Sequence, residues 1–420
     1  MWQSIRALIF DPRTLFVVYV CSAVFISVQL VMLGTHLFVT PPLSHNGDIM
    51  NDPAILSRFI GTRFTEYNNY VVYKQSFFHL LRGNNLYTIY PTQQWDLYKY
   101  SPTFALFMGL LAYLPDVIGV SVWNILNVVT LFIAVRMLPF TVRVQCIILW
   151  FIANDLLTCL SNVQSNGLLC ALIIAVYCCL QNGKLVWATL WLVVATYIKV
   201  YGAIGFCLFL FYPGKLKFIL YALLWTVILA ALPLLVTPFQ TLVWQYHNWA
   251  AMMVADAAAA TGLSVSGWLN SWFGVINGKA YITLAGLVLF LLPFLRFRMY
   301  ADELFKLLTL ASMLVWVIIF NHKAESPTYI IAVTGVAIWY FAMPRATWRT
   351  VLILFVFVFT GLSGTDFFPQ FIRLGYILPY KIKALPCIIT WCVIFTDMML
   401  LKRGEWGTTA SIAINNINSK

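Results

Sequence analysis

Along most of its length the chain alternates long apolar runs with short polar gaps. About a dozen runs are long enough to cross, or nearly cross, a hydrocarbon core roughly 30 Å thick. The first, 14–33, follows the short basic stretch "MWQSIRALIFDPR" without a small-residue cleavage site, and reads as a retained span. The segment "SPTFALFMGLLAYL" (101–114) opens on Pro102 and stops at Pro115, so it reads as a short helix that does not cross. The pattern predicts an all-α polytopic transmembrane bundle of about 12 spans with helical extracytoplasmic loops. Residues 1–401 read as one integral membrane domain, with a first external loop at 39–100 and a cytoplasmic tail at 402–420.

Composition supports this: 62% of residues are hydrophobic and 10% charged, leaving too little polar surface to cover a soluble core. A net charge of +12 raises nucleic acid as a partner, but the basic residues punctuate the ends of apolar runs and form no stripe. That is the distribution produced by the positive-inside bias, and nucleic-acid binding is disfavoured. Placing Arg6, Arg13, Arg136, Arg143, Lys184, Lys215, Lys217, Arg296, Arg298, Lys306, Arg345, Arg349, Lys402 and Arg403 in the cytoplasm gives a consistent alternation with both termini inside. A multi-pass protein of a bacterial inner membrane is the expectation. The nine cysteines lie in or beside apolar runs and make neither a disulfide frame nor a metal motif.

The opposite, extracytoplasmic face collects the unusual polar groups. "FNHKAESPTY" (320–329) places His322, Lys323 and Glu325 between two apolar runs that look made for lipid. Glu325-Ser326-Pro327 reads as a helix start. Lys199, in "ATYIKVYG", lies near the outer end of its span, where an ionisable group is costly unless paired or wetted. Its bland alternative is snorkelling to the interface. Gln164 and Asn166 put amides into an otherwise apolar stretch; they either bind ligand hydroxyls or satisfy helix ends. Chemistry gathered at one interface suits an enzyme acting on a lipid-borne substrate. No Gly-rich phosphate cradle, metal-ligand spacing or hydrolase triad order is evident.

At "NYVVYKQSFFHLLRGNNLYTIYPTQQWDLYKYSP" (69–102) the chain resembles the first external loop of glycosyltransferase family 87, through Tyr70, Tyr73, Leu80, Leu81, Gly83, Leu86, Tyr87, Tyr100 and Pro102. "VWNILN" (122–127), "QSN" (164–166) and "ATYIKVYG" (195–202) resemble further motifs of that family, in order. The resemblance implies a GT-C fold and transfer of a hexose, mannose first, from a polyprenyl-phosphate donor to a lipid or glycan acceptor, with no cofactor and no metal.

Such transfer needs a carboxylate base and cationic donors for the departing phosphate. The resemblance puts the family's acidic residue at Asn69, whose amide cannot accept a proton near neutral pH. The base then falls to Glu66, with Asp48 second and Asp52 also in the loop. Lys199, His322 and Lys323 are the candidates for the donor phosphate. Asn69, Tyr73, Tyr100, Gln164, Asn166 and Glu325 are the candidates for sugar and acceptor. Two rivals stay open: a transporter or flippase of lipid-linked glycans, and a family member that binds without catalysing.

Overall fold

The computed structural model describes residues 9–37, 57–259, 261–276 and 278–404. Asp48 and Asp52 lie outside the described residues, as does the tail from 405 onward.

Helix α1 (Pro12–Met32) starts at Asp11, whose carboxylate accepts the Thr14 N–H at 3.0 Å, with Pro12 as the first helical residue. A small antiparallel ribbon follows, β1 (Thr35–Leu37) against β2 (Arg63–Thr65). Then come α2 (Asn68–Leu81), α3 (Pro102–Ala112), α4 (Asp116–Met137), α5 (Val142–Ser161), α6 (Asn166–Gln181) and α7 (Leu185–Ile198). A 3-10 segment, Val200–Phe211, separates α7 from α8 (Lys215–Ala231). The second half holds α9 (Phe239–Ala259), α10 (Val265–Phe273), α11 (Lys279–Leu291), α12 (Glu303–Ile319), α13 (Tyr329–Ala342), α14 (Thr347–Val356) and α15 (Leu385–Leu400). Among the described residues the fold is all-α apart from the ribbon.

Five helices among the described residues are long and apolar enough to cross a membrane, which differs from the expected count of about 12. The reason is punctuation. The Gln164-Ser165-Asn166 turn, Gly183 and Lys199 cut apolar runs into helices such as α6 (16 residues) and α7 (14 residues). At 1.5 Å per residue these reach only about 21–24 Å. Helix α3, at 11 residues, is the short non-crossing element that its flanking prolines announce.

The runs flanking 320–329 do not face lipid. In α12 and α13 nearly every side chain is buried, and the pair forms a hairpin enclosed by α5, α6 and α15. Exposed apolar surface lies on other helices, α8 among them, where Leu216, Leu220, Leu223 and Val227 are all more than half exposed. Hydropathy alone cannot separate a helix buried in protein from one bathed in lipid. The consequence is functional: the polar turn at 320–328 sits at the tip of the most buried hairpin in the fold.

Candidate active site

Lys199 occupies a break in the backbone. Its φ and ψ of −141° and 126° are extended, ending α7 on one side and opening the 3-10 segment on the other. That segment runs back along α7: Gly202 abuts the Ala195 backbone, and Gly214 at its far end meets Leu185 at the start of α7. Lys199 is therefore the tip of a hairpin, not a passenger on a continuous span. Broken backbone at this depth is tolerated where protein or water satisfies the freed groups.

Its partners come from far along the chain. Lys199 Nζ donates to Asn166 Oδ1 at 2.8 Å, and Tyr201 Oη donates to the same oxygen at 3.1 Å. Asn166 Nδ2 donates to Gln164 Oε1 at 2.6 Å and to the Pro327 carbonyl at 3.0 Å. Gln164 Nε2 in turn donates to Glu325 Oε2 at 2.9 Å. Glu325 also lies within electrostatic reach of Lys199. On the other flank Lys199 Nζ stands 5.8 Å from the Tyr100 ring centroid, and Tyr100 Oη lies 2.8 Å from Tyr73 Oη. One continuous path thus runs Tyr73–Tyr100–Lys199–Asn166–Gln164–Glu325. Burial and the neighbouring Tyr100 push the Tyr73 phenol far up, so it remains a neutral hydroxyl.

The turn carrying Gln164 is strained. Val163 is fully buried with φ +49°, a left-handed conformation that a β-branched residue rarely adopts. Trp123 Nε1 donates to its carbonyl at 3.2 Å and helps hold it. Such outliers cost on the order of 1–3 kcal/mol and cluster at functional sites. Gly262 makes a second tight approach: with φ +50°, an added Cβ would stand 2.6 Å from the His322 carbonyl oxygen. Leu263 N–H donates to the Ala324 carbonyl at 2.7 Å, docking the α9–α10 connection on the 320–328 turn.

Beside this path lies a cationic cluster. Lys323 Nζ is 2.9 Å from Asp256 Oδ1, and Lys99 Nζ is 3.9 Å from the same atom and 3.5 Å from Asp96 Oδ1. Lys279 is within electrostatic reach of both Lys323 and Asp256. Gln245 fastens α9 to the 83–101 loop, its amide accepting the Leu86 N–H at 3.1 Å and donating to the Asn84 carbonyl. Lys99 neighbours Tyr100, and Lys323 lies two residues from Glu325, so the cluster and the Lys199 path share two segments of chain.

Residues 98–320, more than half of the 420-residue chain, match the sequence profile of Glycosyltransferase family 87. The chain belongs to glycosyltransferase family 87. It is a membrane glycosyltransferase, and so works on a sugar donor and an acceptor. No curated protein matches the chain. The matched stretch contains Lys199, Asn166, Gln164 and Tyr100, while Glu66, Asn69 and Tyr73 precede it and His322, Lys323 and Glu325 follow it.

Five residues expected from the sequence of this glycosyltransferase, Tyr100, Gln164, Asn166, Lys199 and Glu325, form one network, with Tyr73 joined through its hydroxyl. Asn69 is adjacent, its Nδ2 donating to the Asn162 carbonyl at 2.7 Å. Lys323 belongs to the neighbouring Asp256 cluster. His322 contributes its backbone carbonyl to the Gly262 contact. Glu66 stands at the ribbon end of α2, 3.7 Å from His36 Nε2, with both side chains substantially exposed. Tyr67, next to it, donates to Asp116 Oδ2 at 3.0 Å; burial, and then the Asp116 charge, push its phenol up to about 12. Tyr201, Lys99 and Lys279 are not among the residues expected from the sequence. Asp256 stands out in "QYHNWAAMMVAD", but no partner for it is legible there.

Proposed function

We propose that this glycosyltransferase moves a hexose, mannose first, from a polyprenyl-phosphate donor to a lipid or glycan acceptor at the extracytoplasmic face of a bacterial inner membrane. The observation that carries the reading is the path from Tyr73 to Glu325, in which a buried ammonium, two amides, hydroxyls and a carboxylate meet at the tips of two buried hairpins. Amides and hydroxyls suit sugar recognition; the ammonium suits a phosphate.

In the proposed reaction the acceptor oxygen forms a bond to the anomeric carbon while the bond from that carbon to the phosphate oxygen breaks. The electron pair leaves with polyprenyl phosphate, and the acceptor proton passes to a carboxylate. Lys199 faces the growing phosphate charge, an interaction worth more in a dry site than in water. Lys323, with Lys99 and Lys279 beside it, extends the positive field along the path to the lipid phosphate. Two described carboxylates compete for the proton. Glu325 is the better supported, because Gln164 orients it inside the path, whereas Glu66 meets His36 at the solvent edge. Asp48 stays a candidate in the same loop.

Asn69 favours one second reading, a member that binds without transferring. Its amide is engaged with the Asn162 carbonyl, a structural task that needs no base. Transfer assays on membranes separate the two. With radiolabelled polyprenyl-phosphate mannose, Glu325→Gln is expected to lower transfer about 100-fold or more, in the range of general-base removal, and Glu66→Gln to leave it essentially unchanged. The reverse order would return the base to Glu66. No incorporation by the unaltered protein with mannose or glucose donors would favour the non-transferring reading.

A further inference from the structure

The opposite end of α7 from Lys199 carries a second polar feature. A cleft of about 470 Å³ opens there, lined by Gly183, Lys184, Val186, Trp187, Lys217 and Tyr221. Two lysines from different helices converge on it, and neither ammonium has an acidic partner among the described residues. Helices α7 and α8 both begin at this cleft, and neither has a side-chain cap on its first N–H groups. Gly214 lets the two starts approach: its φ is +78°, and an added Cβ would lie 2.9 Å from Leu185 Cδ1. Two lysines and two uncapped helix starts add in one place, and each favours an anion.

The cleft is not open water. Val186 and Trp187 in its lining are exposed at 39% and 53%, and α8, which supplies Lys217 and Tyr221, also exposes Leu216 and Leu220, at 70% and 55%. Trp187 stacks on Trp191, with ring centroids 5.9 Å apart, and Tyr221 adds a second interfacial aromatic. A free anion would leave this apolar rim unused; an anion tethered to acyl chains would cover it. We infer that this cleft binds the phosphate of an anionic phospholipid, with the acyl chains lying along the exposed face of α8. The α7 helix is about 21 Å long, so the site lies at the far end of that helix from Lys199 and is separate from the path of sugar transfer. Basic recesses between helices at the cytoplasmic surface are suited to such head groups.

The test uses the purified full-length protein. Native mass spectrometry would follow binding of dioleoyl-phosphatidylglycerol, dioleoyl-phosphatidylcholine and inorganic phosphate to the unaltered protein and to Lys184→Gln/Lys217→Gln. Each lysine near a membrane surface contributes roughly a fivefold factor, so the double variant is expected to weaken phosphatidylglycerol binding about 25-fold and leave phosphatidylcholine binding unchanged. Brominated-tail phosphatidylglycerol should also quench a fluorescence component that is lost in Trp187→Phe. Equal affinity for the two lipids, an unchanged double variant, saturation by inorganic phosphate in competition with the lipid, or quenching indifferent to Trp187→Phe would each overturn the inference. Both lysines are exposed, so the variants test binding rather than folding.

Discussion

At the residue scale, the informative positions were those where chemistry and surroundings disagree. Lys199, Gln164 and Asn166 stand in apolar runs, and an unpaired polar group there costs several kcal/mol on the order of a lost hydrogen bond or more. Their presence demanded partners, and the structure supplies them to one another. Lys99 and Lys279 give no such signal, because a charge in a polar loop needs no explanation; Asp256 stands out in the sequence, but its partner does not. Asp256 and Lys323 are 67 positions apart in sequence, and nothing local pairs them. Lys199→Met keeps the length of the side chain and removes its charge. The expected result is loss of transfer by about 100-fold, comparable to removing a charge-stabilising donor, with normal membrane expression. Lys199→Arg should recover only part of it, since a planar fork does not reproduce the point contact with Asn166 Oδ1.

At the element scale, hydropathy found the helices but not their roles. It does not tell that α12 and α13 are enclosed by protein while α8 exposes an apolar face, nor that small turns shorten α6 and α7. The ribbon β1–β2, three residues a side, is too short to leave a period-2 pattern in the sequence. One buried ion pair now accounts for how α5 and α15 are joined. Lys383 Nζ is 3.2 Å from Asp155 Oδ1 and donates to the Thr360 carbonyl at 2.8 Å, at the end of the π-helical turn Phe357–Gly361. The Tyr329 ring lies 5.4 Å from the same ammonium. Both charged side chains are almost fully buried. Removing one partner strands the other, at a cost of about 3–5 kcal/mol. Asp155→Ala should therefore lower the unfolding midpoint of the detergent-solubilised protein by several degrees, whereas Asp155→Leu/Lys383→Met should recover most of that loss. Equal instability of the single and double variants would show that the pair acts through something other than unpaired charge.

At the scale of the whole molecule, the arrangement has two ends. The 320–328 turn, Lys199 and the Gln164 turn form one end; Lys184 and Lys217 mark the other. On the topology proposed from the basic-residue asymmetry, the second faces the cytoplasm. Lys323→Cys is expected to react with an impermeant maleimide added to intact cells, whereas Lys217→Cys should react only after permeabilisation; each is read against the unaltered protein to subtract the native thiols. Labelling of both from the same side would break the topology. The family membership, the helical bundle and the membrane setting were all legible in the sequence. The convergence of residues 73, 100, 164, 166, 199 and 325 on one place was not, because it depends on two hairpins whose tips meet only after the bundle packs.

Central to the account is that this convergence transfers sugar from a lipid phosphate. The most direct measurement is incorporation of radiolabel from polyprenyl-phosphate mannose into extractable glycolipid or glycan, using membranes that carry either the unaltered protein or Lys199→Met. The account predicts incorporation by the first and background by the second. Equal incorporation by both would contradict it.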